Sequence, residues 1–148
     1  MLTVDDLKYL ELITDKSRLV GTNYFEFYPS DCLELPTCWN EGSLYISDMS
    51  FSAIAPAFER AVPTFGYNDF NRFSADELRN VERELSAFIA TLESATSHDQ
   101  ILPGYQIERW SGVPIESLVP ALVHAVSGIS AFCRKSREQP GVLWVLGM

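Results

Sequence analysis

Residues 142–148, VLWVLGM, are apolar at almost every position, so an extended segment here would present large side chains on both of its faces. A short run with no polar face predicts a central strand covered on both sides, and a chain that ends in such a strand tucks its last residues into the sheet. Pro140 and Gly141 separate this run from a long apolar segment, Ile115 to about Arg137. That segment reads as a helix, with Arg134, Lys135 and Arg137 at the end where the helix dipole favours cations.

The most regular helical pattern lies earlier, in FSADELRNVERELSAFIATLESA, residues 73–95. Ser74 with Glu77 three residues later is a capping box, and Phe73 with Leu78 forms a hydrophobic staple across it. Leu78, Val81, Leu85, Phe88, Ile89 and Leu92 follow on one stripe, leaving Arg79, Glu82, Arg83 and Glu93 facing away. Between the two helices, GYQIERW (104–110) reads as a strand.

Toward the N-terminus, YFEFY (24–28) alternates Phe25 and Phe27 against Tyr24, Glu26 and Tyr28, the pattern of a strand with one wetter face. SLYISD (43–48) predicts a second strand that pairs with it as a hairpin. The intervening residues 30–42, with Pro36, Asn40 and Gly42, form a loop long enough to suggest function or mobility. Thr3, Asp5 and Asp6 before an apolar series predict a first helix over 4–14, and residues 50–61 predict another, with Pro56 tolerated near its start or at a kink. Together these elements predict an α/β (α+β) fold in a single domain, residues 1–148: a small mixed sheet with about four helices. At 148 residues and 47% hydrophobic composition the chain can bury one substantial core.

The net charge of −9 argues against nucleic acid and anionic membranes as partners, which reward clustered lysine and arginine. No basic residue occurs between Arg18 and Arg60, while Glu26, Asp31, Glu34, Glu41, Asp48 and Glu59 place −6 in that window. Such clustering either serves solubility or presents an acidic face to a basic partner. The first residues lack the basic and apolar regions of a secretory signal. The apolar segment from Ile115 to Cys133 is interrupted by Glu116, Pro120, His124 and Gly128, so it reads as a buried helix of a soluble, cytoplasmic protein. Three cysteines, an odd number, are then expected as free thiols.

No nucleophile elbow, phosphate-binding glycine loop, HExxH pair or calcium loop is present. Cys32 and Cys38 stand too far apart for a CxxC motif and have no histidine in their segment. Cys133 and His124, nine residues apart, fall on opposite faces of one helix and cannot act as a nucleophile–base pair. No catalytic residue, metal ligand or cofactor is therefore assigned. Trp39, flanked by Glu34 and Glu41, has the composition of an interface anchor surrounded by steering charges; the alternative is that it folds back over the core.

The helix in FNRFSADELRNVERELSAFIATL (70–92), the closing strand GVLWVLGM (141–148) and the acidic hairpin region resemble the immunity proteins of bacterial polymorphic-toxin and contact-dependent inhibition systems. That resemblance implies tight binding to one toxin domain, many such toxins being basic nucleases, and it implies no catalytic residues. The expected function is thus binding to a basic protein, a toxin domain being the partner the resemblance implies, through Glu26, Asp31, Glu34, Trp39, Glu41 and Asp48. The alternative is a small enzyme or ligand-binding domain with a pocket near the 115–137 helix, where His124 would act.

Overall fold

In the computed structural model, which describes residues 1–147, four strands form one antiparallel sheet in the order β2-β1-β4-β3. These are β1 (Tyr24–Ser30), β2 (Leu44–Ser47), β3 (Phe70–Phe73) and β4 (Val142–Gly147). Five α-helices accompany them: α1 (Asp48–Phe51), α2 (Ala55–Ala61), α3 (Ala75–Ser94), α4 (Gly104–Trp110) and α5 (Ile115–Arg137). The α+β class is as the sequence predicts, and β4 is interior, flanked by β1 and β3. Met148, assigned above to the same strand, lies outside the described residues.

Every ladder is antiparallel, whereas a mixed sheet was expected. The β1–β2 pairing follows from the hairpin, with Phe25 opposite Ile46 and Phe27 opposite Leu44. Between β3 and β4 the chain runs along two long helices, α3 and α5, which pack against each other. A crossover through one helix returns a strand parallel to its predecessor; two helices, out and back, return it antiparallel.

One face of the sheet carries Phe25, Phe27, Phe73, Leu143 and Val145, all buried in one contiguous apolar cluster with the helices. Phe51 of α1 sits at its middle, with ring centroids 4.2 Å from Phe25, 5.7 Å from Phe27 and 5.2 Å from Phe58. The other face carries Glu26, Tyr45, Trp144 and Leu146, and these are buried as well. Burial on both faces explains the unbroken apolar character of β4.

Ser74 caps α3 as its sequence predicts: its hydroxyl accepts from the Glu77 N–H at 3.2 Å and its own N–H donates to the Glu77 carboxylate at 3.0 Å. The buried stripe of α3 is Leu78, Val81, Leu85, Phe88 and Leu92. By length and composition alone α5 is long and apolar enough to cross a bilayer, despite the interruptions at Glu116, Pro120, His124 and Gly128. Its Leu118, Leu122, Val126 and Ile129 are buried in the same core as α3.

Three elements differ from the sequence prediction. GYQIERW is the helix α4, because Gln106 and Trp110, four apart, are its buried residues while Tyr105 is exposed. Residues 50–61 split into α1 and α2, which puts Pro56 in the first turn of α2, where its missing N–H costs no hydrogen bond. The first helix is a 3-10 segment, Val4–Leu10, after which Ile13 leaves to pair with Tyr45 of β2. At the α5–β4 turn, Gly141 adopts φ 114° with its α-carbon against the Ser30 carbonyl, a conformation and an approach that only glycine accepts.

Candidate functional site

The loop between β1 and β2 is exposed over residues 31–35, and its later part, from Trp39 to Ser43, folds back across the outer face of the sheet. What holds it is Glu26, which the alternation in YFEFY places on that face and which is fully buried there. Its carboxylate accepts from the backbone N–H groups of Trp39 (2.6 Å) and Asn40 (2.9 Å). Two more donors reach the same carboxylate, the Asn40 side-chain amide at 3.0 Å and the Ser43 hydroxyl at 2.6 Å. The Tyr45 hydroxyl lies 3.3 Å away and donates to the Asn40 carbonyl at 2.8 Å. A buried charge is tolerable only when so satisfied.

Successive N–H groups converging on one anion form a backbone nest, and a nest requires a residue in the left-handed region. Trp39 supplies it, with φ 69°, a conformation disfavoured for a bulky side chain by roughly 1 kcal/mol or more. Its indole is stacked on Tyr45 at 6.0 Å between centroids and meets Tyr24 edge-on at 6.4 Å. Trp39 thus folds back over the sheet, on the face away from the helical core, and it remains half-buried. Its outer side borders an open groove of about 490 Å³ together with Asp15, Lys16, Leu19 and Glu41.

The six residues expected to meet a partner therefore separate. Glu26 is inside, a scaffold group unable to touch another protein, because an alternating strand has no way to show that its wetter face will be covered. Asp31, Glu34 and Glu41 are exposed on the loop, Glu41 3.2 Å from Lys16 in a pair open to solvent. Asp48 starts α1 at the far end of β2, half-buried, and accepts from the Tyr67 hydroxyl at 2.6 Å. Two residues not singled out by the sequence join the exposed set: Leu33 and Leu35 are 62% and 69% exposed. The signal was the loop assignment itself, since leucines between acids in a loop outside any strand or helix have no element to pack them inward.

Acid–base chemistry finds little support at this site. Burial, and then the Glu26 carboxylate, push the Tyr45 hydroxyl up to about 12 and raise the Cys38 thiol. Both groups stay protonated at neutral pH. Glu82, which the stripe of α3 places facing away, pairs with Arg137, and Glu84 pairs with Arg60. His124 is exposed on α5, so it faces neither a core nor a closed pocket, and His98 is held by the Val113 carbonyl at 2.8 Å. Cys32 is exposed, Cys38 half-buried and Cys133 buried, all as free thiols. Among the described residues no group of three or more His, Cys, Asp or Glu side chains is placed to hold a metal ion.

These thiol and phenol environments set an alkaline limit. Burial raises Cys133 far above the ordinary 9.0 of a thiol, and Tyr45 and Tyr67 lie above the ordinary 10.0 of a phenol. Below those ordinary values both folded and unfolded chains are protonated and stability is complete. Above them the unfolded chain loses protons that the folded chain retains, so stability falls as pH rises. The urea midpoint is expected to decline from about pH 9 upward, and Cys133→Ala to flatten the first part of that decline. A flat profile to about pH 11 would show that these groups are not held in the protonated state.

A scan against protein-family models and searches of curated proteins and of solved structures find no match to this chain.

Proposed function

We propose that this chain acts by binding, and that its partner is a basic protein met by the loop over residues 31–41. The supporting observation is the pairing of exposed apolar and acidic side chains on a loop whose far end is anchored to the sheet. Leu33 and Leu35 stand in solvent, as do Asp31, Glu34 and Glu41, while the buried Glu26 carboxylate ties the loop down at Trp39 and Asn40. Preorganisation of this kind lowers the entropy lost on association, and acidic side chains around an apolar centre raise the rate of encounter with a basic surface. Trp39, bordering the adjacent groove, extends the apolar contact.

A toxin domain is the partner that fits this proposal best, in keeping with the resemblance to immunity proteins, and it would place the protein in the cytoplasm of the cell it protects. The groups that such a role requires are a steering charge and a rigid anchor, and neither calls for catalysis. An exposed His124 offers no comparable support for an enzymatic role.

The test begins with capture of partners from the host lysate at low salt and their release as salt rises. Association of the captured protein is then measured with wild type and with the triple variant Asp31→Asn, Glu34→Gln, Glu41→Gln. The triple variant is expected to associate about tenfold more slowly at low ionic strength, with a flatter salt dependence. An unchanged association rate at low salt would rule out the acidic loop as the docking surface.

A further inference from the structure

We propose that the cleft between α3 and α5 binds a small phosphoryl anion, a phosphate or diphosphate group. This site is separate from the loop described above and does not rest on its function. Arg79 and Arg83 lie one turn apart on α3, and Arg134 and Arg137 nearly one turn apart on α5; all four line one cleft of about 280 Å³. The chain has 11 basic residues and a net charge of −9, yet four of those residues surround this single cleft.

The internal partners do not neutralise it. Glu82 is the one carboxylate lining the cleft, and it serves two guanidinium groups, Arg137 at 2.5 Å and Arg134 at 3.5 Å. Arg79 pairs with Asp76, whose side chain is 91% exposed, so solvent screens that attraction. Arg83 makes no ion pair among the described residues and has only the Asn80 side-chain oxygen at 3.3 Å.

The helix dipole explains half of this arrangement. Cations at the end of α5 are favoured by it, but Arg79 and Arg83 lie in the N-terminal half of α3, where it gives them no advantage. An anion seated between the two pairs would account for all four. Guanidinium groups present forks of N–H donors that match phosphate oxygens, and the hydroxyls of Ser86 and Ser130 line the same cleft as neutral donors.

Size and overall charge restrict the ligand. A cleft near 280 Å³ falls below the range that holds a drug-sized molecule and suits one or two phosphoryl groups. A nucleic-acid polymer would meet the negative remainder of the surface, whereas a small anion stays within the roughly 10 Å reach of the arginines at 0.1 M salt.

Pyrophosphate and inorganic phosphate are to be titrated into the labelled protein at constant ionic strength while amide shifts are followed. Saturable shifts confined to α3 and α5 are expected, stronger for pyrophosphate. The double variant Arg83→Gln, Arg134→Gln leaves the Arg137–Glu82 pair intact and is expected to weaken binding at least tenfold with the thermal midpoint little changed. Binding of phosphate equal to that of pyrophosphate would assign the cleft to a single phosphoryl group. Absence of saturation by about 10 mM pyrophosphate would overturn the proposal, as would equal binding by the folded double variant.

Discussion

Glu26→Gln is expected to destabilise the protein by about 3 kcal/mol and to release the loop over residues 31–41. The carboxylate offers two oxygens to four donors within 3.0 Å, two of them backbone N–H groups. An amide keeps one oxygen: set where three of the donors converge, it turns its N–H groups on the Trp39 N–H, so at least one bond is lost inside the fold and the others lose their charge. Hydrogen bonds to a charged group contribute about 1.5–3 kcal/mol each, and a buried donor left alone costs about as much again. The chain can limit that cost by lifting the loop into water, which would free Trp39 from its left-handed conformation and uncover Tyr45. Urea unfolding combined with limited proteolysis reads both effects. A loss below about 0.5 kcal/mol with the loop still protected would mean that Glu26 does not hold it.

Phe51→Ala is expected to cost about 4 kcal/mol, which lowers the thermal midpoint by roughly 10 °C for a domain of this size. Phe51 is fully buried and in ring contact with Phe25 and Phe27 of β1, Phe58 of α2, and Phe65 and Tyr67 of the turn before β3. Truncation removes both the transfer free energy of the ring and its edge-on and tilted contacts, and it leaves a cavity walled by other rings that cannot close around it. Phe51→Leu should recover about half of the loss, since apolar volume returns without the ring geometry. If alanine costs less than about 1.5 kcal/mol, the site collapses more readily than its aromatic walls suggest.

Elements governed by local pattern were legible in the sequence. The capping box at Ser74 and Glu77, the stripe from Leu78 to Leu92, the hairpin strands and the two-sided apolar strand at 142–147 all reflect neighbours within a few residues. The four-residue strand FNRF was not legible, because Phe70 and Phe73 fall on opposite faces and four residues carry no period. GYQIERW misled for a related reason: Tyr105 and Ile107 mimic alternation, while the residues that pack are Gln106 and Trp110.

The candidate site was half legible. Acidic residues between Arg18 and Arg60 stand out by composition, and Asp31, Glu34 and Glu41 are exposed as an acidic surface requires. That Glu26 turns inward depends on a loop folding back over it, a tertiary event that no residue near Glu26 announces. The same limit concealed the arginine cleft. Arg79 and Arg83 face away from the buried stripe of α3, and Arg134 and Arg137 suit the end of α5; only the packing of the two helices brings them to one place.

The position of β4 inside the sheet bears on the order of assembly. One neighbour of β1 is β2, a short way along the chain, and the other is β4, more than a hundred residues further on. Closing a loop of that length carries an entropy penalty on the order of 4 kcal/mol, while the β1–β2 hairpin requires about half as much. The α3–α5 pair reduces the gap by shortening the path to be searched, so helices are expected to form before the sheet is complete. Refolding should then be limited by a step at the middle of the sheet, an order that pulse-labelled amides of Ile46 and Val145 would report. The interior strand that joins β1 to β3 is then the last to find its place.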